Sequence, residues 1–327
     1  MRVAVIGLGE ISKLHIAALK ECGEEIAAVC DIEAARCDRA EKTFGLAGAA
    51  KYTDYIKMLE NERLDSVHIC TPHYLHAEMI CAALRRGVNV LCEKPLAISK
   101  AQLEEIGAAV KVSKAKLGVC HQNRYREAFL YLKEFFAKRE ITSAAATLVW
   151  DRDKEYYASG AWRGTKAMEG GGVMINQAIH SLDVLQWFCG YPESVIATTH
   201  NHSLKGVIEV EDTAYGLFAL KNGGNFVVSA TNAAKYCFPI HTMFHSGEDT
   251  VEVSADNIII NGKFLVKSDG RPYFGKEEWG VGHYNLIKDY YECLKSGRKF
   301  PIDFAEASKA IRLILAMYRS NGEKIDL

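Results

Sequence analysis

The stretch VAVIGLGEISKLH, residues 3–15, decides the fold of the first part of the chain. A short apolar strand runs into a turn with Gly7 and Gly9, and the following residues predict a helix over 11–21. The first glycine permits a sharp turn, and the second lets a pyrophosphate approach the N–H groups of the helix start. Ser12 occupies the third position of G-x-G-x-x-G, so the fingerprint is imperfect. Alone, this stretch fits either a dinucleotide-binding turn or a structural connection.

Asp31 favours the dinucleotide-binding interpretation. It ends the second predicted strand, about 20 residues after the turn, where an acidic side chain would accept hydrogen bonds from ribose hydroxyls. Its charge would repel a 2′-phosphate, which predicts NAD rather than NADP, although Arg36 and Arg39 nearby could weaken that preference. A structural alternative is that Asp31 caps the next helix, a role compatible with ribose binding.

Strands and helices alternate regularly up to residue 120. The predicted strands contain apolar residues on both faces, a pattern typical of a parallel sheet covered by helices. They lie at 3–7, 25–31, 65–72, 89–95 and 116–120. Beyond residue 193 the predicted strands are instead joined by tight polar turns, which indicates an antiparallel or mixed sheet. Helices are predicted over 173–188, 283–295 and 304–320.

Composition excludes several classes of protein. The 327 residues are 25% charged with a formal net charge of −1, so we expect no nucleic-acid partner. No apolar run approaches the roughly 18 residues of a membrane span, so no membrane partner is expected. The ten cysteines form no C-x-x-C pair and mostly lie in apolar surroundings. They predict reduced thiols in a cytoplasmic protein, with disulfides as the alternative.

Three further stretches carry a family resemblance: TPHYLH at 71–76, CEKP at 92–95 and GGGVMINQAIHSLD at 170–183. Together with the glycine turn, they resemble the Gfo/Idh/MocA oxidoreductases over essentially the whole chain. The resemblance implies an α/β fold with a Rossmann dinucleotide-binding domain at 1–120. It also implies an α+β domain at 121–327, with an open, mainly antiparallel sheet for substrate binding and oligomerisation. The last helix, 303–320, is a candidate to pack back on the first domain.

The same resemblance implies NAD(P)-dependent hydride transfer at a secondary hydroxyl carbon of a sugar, cyclitol or nucleotide sugar. Lys94 matches a lysine that touches both the nicotinamide ribose and the substrate hydroxyl, and His180 matches the general acid/base. Asn176 stands where many members carry aspartate. An amide can orient a hydroxyl but cannot relay a proton, which leaves the proton chemistry to His180 with Lys94. These three are the predicted catalytic residues.

Other site residues follow from the matching segments. The QNRY segment at 122–125 and the WRG segment at 162–164 resemble pieces that lie near the nicotinamide or the substrate in the family. The predicted cofactor-binding residues are Gly7, Gly9, Glu10, Ile11, Asp31, Thr71, Pro72, His73, His76, Glu93, Lys94, Gln122 and Arg163. The predicted substrate-binding residues are Lys94, Tyr125, Trp162, Asn176 and His180.

Helical spacing places Asn176, His180 and Asp183 on one face, which fits either a polar strip in a cleft or an ordinary solvent-facing side. His241 and His245 have the spacing of a metal pair, but their strand-like surroundings favour a structural role. We therefore expect no catalytic metal. The expected partners are a sugar-like small molecule and further copies of the chain, as a homodimer or homotetramer.

Two alternative functions keep the cofactor. One is redox-neutral elimination or glycoside cleavage, in which the cofactor is regenerated in each cycle, and steady release of NADH would argue against it. The other is a non-catalytic cofactor-binding sensor, which the fold alone does not exclude. The presence of both Lys94 and His180 argues against a sensor, because a sensor does not need acid/base groups.

Overall fold

The computed structural model describes residues 1–266 and 281–327. Within them the chain forms two compact units. The first contains Met1–Tyr125 with residues 281–307, and the second contains residues 126–266 with Ser308–Leu327. Each unit has its own sheet, and the two sheets are built on different principles.

The first unit contains a six-stranded sheet in which all neighbouring strands are parallel. Its strands are β1 Arg2–Ile6, β2 Glu25–Cys30, β3 Ala50–Tyr52, β4 Ser66–Ile69, β5 Asn89–Glu93 and β6 Leu117–Cys120. Its helices are α1 Ser12–Glu21, α2 Ala34–Phe44, α3 Tyr55–Asn61, α4 His76–Arg85, α5 Lys100–Val112 and α9 Gly282–Ser296. The strand order is β3-β2-β1-β4-β5-β6, so the order reverses between β1 and β4. Sheets of this kind bind ligands at the carboxyl ends of the strands at such a reversal.

Helix α9 belongs to the first unit, whereas the sequence places it in a second domain that starts at residue 121. The reason is a set of buried contacts with the parallel sheet. The ring nitrogen Nε2 of His68 in β4 lies 2.8 Å from the Tyr291 hydroxyl, and the Val119 N–H in β6 donates to the Ile302 carbonyl at 3.0 Å. The sequence carries no local sign of these contacts, because they join residues far apart in the chain.

The second unit contains a nine-stranded open sheet in the order β14-β13-β12-β11-β7-β10-β9-β8-β15. Its strands are β7 Ser143–Val149, β8 Ser194–His200, β9 Thr213–Ala219, β10 Asn225–Thr231, β11 His241–Ser246, β12 Asp249–Ser254, β13 Asn257–Ile260, β14 Lys263–Val266 and β15 Ile325–Asp326. All neighbours are antiparallel except β7 and β10, which are parallel. The predicted mainly antiparallel sheet is therefore confirmed, and β14 and β15 extend it beyond the predicted strands.

Helices cover one face of this sheet. They are α6 Glu127–Phe135, α7 Lys154–Ala158, α8 Ile179–Cys189 and α10 Phe304–Ser320, of which only residues 304–307 belong to the first unit. Helix α8 packs against β7 and β10. The opposite face, which we call the outer face, exposes large apolar side chains: Ile196, Tyr215, Leu217, Val227 and Met243. No helix in the described part of the chain has the length and apolar character needed to cross a bilayer.

The helix predicted over 173–188 differs from expectation at its start. Residues Met174–Ala178 form a π-helical turn, and the regular helix α8 begins only at Ile179. A π turn contains more residues than an α turn and often occurs at functional sites. Asn176 lies in this turn and His180 follows it, so the helical spacing assumed from the sequence does not describe how these two side chains are related.

The glycines before this turn are required by close packing. A Cβ atom on Gly172 would lie 1.8 Å from the carbonyl oxygen of Glu211, and one on Gly171 would lie 2.0 Å from the Tyr318 hydroxyl. The buried carboxylate of Glu211 accepts hydrogen bonds from the N–H groups of Gly172 and Met174, at 2.9 and 3.1 Å. These contacts hold the start of the π turn against the loop that carries Glu211.

We predict that Gly172→Ala destabilises the second unit by more than about 3 kcal/mol, because a backbone oxygen cannot move away from the new methyl group. The melting temperature, followed by circular dichroism, should fall by at least about 6 °C. Gly9→Ala is the matched control, since a Cβ there would meet nothing within 4 Å. A Gly172→Ala protein as stable as the Gly9→Ala protein would contradict this account.

Candidate functional site

The opening turn connects β1 to α1 and lies beside the end of β4. Gly7 has a φ of +85°, and a Cβ atom there would lie 2.8 Å from the carbonyl carbon and oxygen of Cys70. Glycine is therefore required at this position by both conformation and space. Around Gly9, in contrast, a Cβ would meet nothing within 4 Å. The first glycine makes the turn, and the second leaves open space beside it.

Ser12 replaces the third glycine of the fingerprint without disturbing the turn. Its side chain is buried, and its hydroxyl donates to the Gly9 carbonyl at 2.6 Å. Glu10 and Ile11 form the last residues before α1, and the Glu10 carboxylate pairs with Lys13 at 2.7 Å on the surface. The departure from the glycine pattern is thus compensated by a local hydrogen bond.

Asp31 follows β2 and is buried next to the opening turn. One carboxylate oxygen accepts from the Leu8 N–H at 2.8 Å, and the other accepts from the Glu33 N–H at 3.0 Å. The Arg36 guanidinium lies 3.7 Å from the first oxygen. Glu33, not Asp31, occupies the cap position of α2. Asp31 therefore ties the end of β2 to the glycine turn, and each oxygen retains a lone pair that a ribose hydroxyl could use.

The carboxyl end of β5 carries a buried ion. Glu93 is 5% exposed, and its Oε1 atom lies 2.9 Å from His15 Nε2 and 3.2 Å from His283 Nε2. Its other oxygen accepts from the Lys94 N–H at 3.2 Å. Burial alone would raise the pKa of Glu93, but the hydrogen bond from His15 and the adjacent His283 ring outweigh it and hold the pKa well below its usual value. The carboxylate is ionised and fixes the backbone that presents Lys94.

A chain of hydrogen bonds leads from Tyr291 to Glu93. The Tyr291 hydroxyl lies 2.8 Å from His68 Nε2, and the Nδ1 atoms of His68 and His15 lie 2.7 Å apart. Burial lowers the pKa of both histidines, so both rings are neutral. With Glu93 ionised, one proton arrangement satisfies every contact. Tyr291 donates to His68, His68 donates through Nδ1 to His15, and His15 donates through Nε2 to Glu93.

Sequence reasoning missed His15, His68, His283 and Tyr291. A signal was present, because His15 and His68 interrupt otherwise apolar stretches of α1 and β4. A buried polar side chain requires a hydrogen-bond partner, so two such histidines in one domain indicate a pair. The sequence does not show that Glu93 is the partner of this pair, because Glu93 lies 78 residues from His15.

Among the described residues, one group has ligand atoms close enough to hold a metal ion. The atoms of His15, Glu93 and Cys120 lie within 4.8 Å of one another. Both ring nitrogens of His15 already make hydrogen bonds, and burial raises the pKa of the Cys120 thiol well above its usual value. A neutral thiol is a weak ligand. We therefore interpret His15 and Glu93 here as members of the hydrogen-bond chain, with Cys120 as a neutral thiol beside them.

The segment after β4 runs from Thr71 to the start of α4. His76 is fully buried, with Nδ1 at 2.7 Å from the Pro95 carbonyl and Nε2 at 2.9 Å from the Thr71 carbonyl. Its ring therefore joins the Thr71–Pro72 turn to the turn after Lys94. Both ring nitrogens therefore face backbone carbonyls, of which a neutral ring can donate to one at a time, and cofactor binding by His76 stays a prediction. His73 is also buried and packs 6.0 Å from His76.

Gln122 and Tyr125, which follow β6, differ in whether their side chains have hydrogen-bond partners. The side-chain oxygen of Gln122 is buried and has no hydrogen-bond partner in residues 1–266 and 281–327, as expected of a group that meets a ligand. The Tyr125 hydroxyl donates to Asp289 at 2.6 Å, and its ring stacks on Phe300. These contacts tie Tyr125 to the first unit, and its predicted role in substrate binding stays a prediction.

In the second unit, Asn176 is held by a carboxylate that sequence reasoning missed. Its Nδ2 atom donates to Glu169, which is 1% exposed and also accepts from the Gly164 N–H. The same Nδ2 lies 3.4 Å from the Tyr156 hydroxyl. Position 176 itself lacks a carboxylate, but Glu169 supplies one beside it. The contact also fixes which way the amide of Asn176 points.

His180 is the first partly exposed residue after an unbroken buried run over 171–179. It lies at the second position of α8, directly after the π turn. Asp183, which the helical spacing placed on the same polar strip, is buried. Asp183 therefore does not face solvent. Of Asn176, His180 and Asp183, His180 is the residue that is partly exposed.

Trp162 and Arg163 lie close to the same tyrosine. The Arg163 guanidinium donates to the Tyr156 hydroxyl at 2.6 Å and lies 4.6 Å from the centre of the Trp162 ring. Tyr156 thus contacts two predicted site residues directly and two others are close along the chain or through Arg163. Arg163 and Asn176 are the direct contacts, Trp162 lies against Arg163, and His180 follows the π turn that carries Asn176.

Comparison with known proteins identifies both halves of the chain. Residues 1–121 match the GFO/IDH/MocA model described as an oxidoreductase family with an NAD-binding Rossmann fold, and residues 140–256 match the GFO/IDH/MocA C-terminal domain. These two matches cover more than two thirds of the 327 residues.

Curated relatives match along almost the whole chain. A myo-inositol 2-dehydrogenase of Thermotoga maritima is 23% identical over 336 residues, which cover 99% of this chain and 97% of that protein. A D-apiose dehydrogenase of Paraburkholderia graminis is 29% identical over 335 residues, which cover 98% of this chain and 87% of that protein.

Solved structures share the same architecture. The WlbA dehydrogenase from Bordetella pertussis, in complex with NADH and UDP-GlcNAcA, matches with a TM-score of 0.86 and 26% identity. The match covers 100% of this chain and 98% of that one.

The hydrogen-bond chain predicts a specific dependence of stability on pH. Below the ordinary histidine pKa of 6.5 the unfolded chain binds a proton at His68, whereas the folded protein keeps that ring neutral. Stability contributed by this residue is therefore present above pH 6.5 and is lost as the pH falls towards the lowered folded-state pKa. In a His68→Phe protein the free energy of unfolding should fall less steeply as the pH falls, by up to about 1.4 kcal/mol per pH unit. Urea unfolding at several pH values measures this slope.

Tyr291→Phe is the matched variant for this test. It removes the donor to His68 but keeps the histidine, so unfolding should become easier by about 1–3 kcal/mol with the pH slope unchanged. A His68→Phe protein that retains the full pH slope would show that His68 is not held neutral.

Proposed function

This chain belongs to the Gfo/Idh/MocA oxidoreductase family, and we propose that it transfers hydride between NAD and a secondary hydroxyl carbon of a sugar or cyclitol. The observation that carries the proposal lies at the carboxyl edge of the parallel sheet. There the glycine turn after β1, the Thr71–Pro72 turn after β4 and the Glu93–Lys94 turn after β5 come from three neighbouring strands. This is the edge where open α/β sheets bind nucleotides.

Each unit supplies its own groups to the reaction. The nicotinamide, when bound, accepts the hydride or returns it. We propose that Lys94 stabilises the negative charge that develops on the substrate oxygen, and that His180 takes the hydroxyl proton. Such electrostatic help is strongest where water is excluded. Asn176, held by Glu169, orients the same hydroxyl. Gln122 offers its unpartnered oxygen to the cofactor.

The relatives support the substrate class. The curated relatives described above are dehydrogenases named for an inositol and for a pentose, and the WlbA structure contains NADH with a nucleotide sugar. All three kinds of molecule carry secondary hydroxyl groups on a ring. We therefore propose a sugar-like ring substrate, oxidised or reduced at one such carbon.

We predict that Lys94→Ala and His180→Ala each lower turnover by about 10²–10⁴-fold while NAD binding is retained. The assay follows NADH absorbance across sugars, inositols, sugar acids and nucleotide sugars. Lys100→Ala is the control, because that lysine is 84% exposed and pairs with Glu104 on the surface of α5. Near-normal turnover in both site variants would refute the assigned roles. Substrate conversion without net NADH formation would instead support a redox-neutral reaction.

We propose NAD rather than NADP as the cofactor, because the Asp31 carboxylate lies at the end of β2 beside the glycine turn. A 2′-phosphate there would meet a negative charge. Asp31→Asn keeps the oxygen that accepts from Leu8 and removes the charge. The ratio of kcat/KM for NAD to that for NADP should fall by at least about tenfold, equivalent to about 1.4 kcal/mol.

Glu33→Gln is the control for this substitution. Glu33 carries the same charge two residues later but is 58% exposed. An equal change of cofactor preference in both variants would show that general charge, rather than Asp31 itself, sets the preference.

We further propose that the protein forms a homodimer or homotetramer through the outer face of the second sheet. Five large apolar side chains on neighbouring strands of that face are exposed. A contiguous apolar surface of this kind is typical of a protein contact.

All ten cysteines are free, and Cys237 is the only one of them that is exposed. Reduced, buried thiols are typical of a reducing compartment, so we propose the cytoplasm as the location.

A further inference from the structure

Two arginines of the second unit lie against one tyrosine ring. The guanidinium carbon of Arg152 is 4.9 Å from the centre of the Tyr156 ring, and that of Arg163 is 4.5 Å from it. Arg152 also lies 4.8 Å from the Trp150 ring, and Arg163 lies 4.6 Å from the Trp162 ring. Aromatic contacts hold a guanidinium in place without neutralising its charge. The protein therefore holds two positive charges against the same ring.

Neither arginine has an acidic partner among the residues the structure describes. Arg152 donates to the Asp151 backbone carbonyl at 2.7 Å, and Arg163 donates to the Tyr156 hydroxyl at 2.6 Å. The Nε atom of Arg152 is buried and has no acceptor within residues 1–266 and 281–327. A buried donor without a partner is costly, and the cost falls when an anion accepts from it.

Other arginines of the same unit show the contrast. Arg126 pairs with Asp256 at 2.9 Å, and Arg139 pairs with Asp249 at 3.1 Å. Arg139 also lies over an aromatic ring, that of Phe135, at 4.2 Å. Arg139 thus has both a ring contact and an acidic partner. Arg152 and Arg163 have ring contacts but no acidic partner among the described residues.

The two arginines adjoin the candidate catalytic side chains of this unit. The Tyr156 hydroxyl, which accepts from Arg163, also lies 3.4 Å from Asn176 Nδ2 and 3.2 Å from Gln177 Nε2. Three donors lie within hydrogen-bond distance of this oxygen, which can accept at most two of them at once, and its own hydrogen has no acceptor in the described part of the chain. An anion bound by the arginines could accept that hydrogen. Such an anion would lie one side chain away from Asn176.

We propose that Arg152, Arg163 and Tyr156 form a subsite for an oxyanion carried by the substrate. The substrate is then an anionic sugar, bearing a carboxylate or a phosphate, rather than a neutral sugar or inositol. This inference rests on the proposed function, because it adds a charged group to the substrate proposed above. The subsite would select by charge, and the hydroxyl that reacts would be selected separately by Lys94 and His180.

Titration calorimetry on the NAD-loaded protein tests the proposal with three probes of similar frame: glucose, glucuronate and glucose 6-phosphate. At least one of the two anions should bind at least about tenfold more tightly than glucose, and which one does so separates a carboxylate from a phosphate. Arg152→Met keeps the apolar stem and should abolish the preference. Arg139→Met, the stacked but paired control, should retain it.

Several results would overturn the subsite. These are equal binding of all three probes, binding of none of them by the wild-type protein, and a preference that survives Arg152→Met. Weaker NAD binding in Arg152→Met or Arg163→Met, with sugar binding unchanged, would assign the arginines to the cofactor instead. Failure of the proposed function is distinguishable. A protein that binds an anionic sugar through Arg152 but never forms NADH would retain the subsite and lose the dehydrogenase assignment.

Discussion

The buried carboxylate of Glu93 is the constraint on which the first unit depends. An ion inside a protein is tolerated only when polar partners surround it. Here His15 and the Lys94 N–H donate hydrogen bonds to Glu93, and His283 Nε2 lies 3.2 Å from it. These partners come from α1, α9 and the turn itself. One ion therefore fixes the helix after the glycine turn, the returning helix and the backbone of Lys94 relative to one another.

The second unit also contains a buried carboxylate with several hydrogen-bond donors, that of Glu211. Its carboxylate accepts from the N–H groups of Gly172 and Met174 and from the Tyr318 hydroxyl, while burial raises its pKa above the usual value. Free N–H groups at the start of a helical segment are natural partners for a carboxylate. The glycine triplet allows the loop of Glu211 to approach closely enough to use them. The π turn that carries Asn176 is thereby anchored.

Local features of the fold could be predicted from the sequence, and long-range ones could not. The glycine turn, the Glu93–Lys94 turn and the apolar strands are contiguous patterns, and each lies where the sequence places it. The place of α9 depends instead on pairings such as His68 with Tyr291, 223 residues apart. The carboxylate beside Asn176 was missed because Glu169 precedes it by seven residues across a glycine-rich turn and a π turn. Regular helical periodicity predicts neither the glycine-rich turn nor the π turn.

Buried polar groups at the candidate site differ in whether they have hydrogen-bond partners. The buried carboxylates of Glu93, Glu169 and Glu211 all have donors within their own unit, so each one stabilises a turn. Arg152 and Gln122, in contrast, bury polar atoms that no described residue satisfies. Burying such groups without partners is unfavourable in the free protein. A ligand that accepts from Arg152 or donates to Gln122 would recover that free energy.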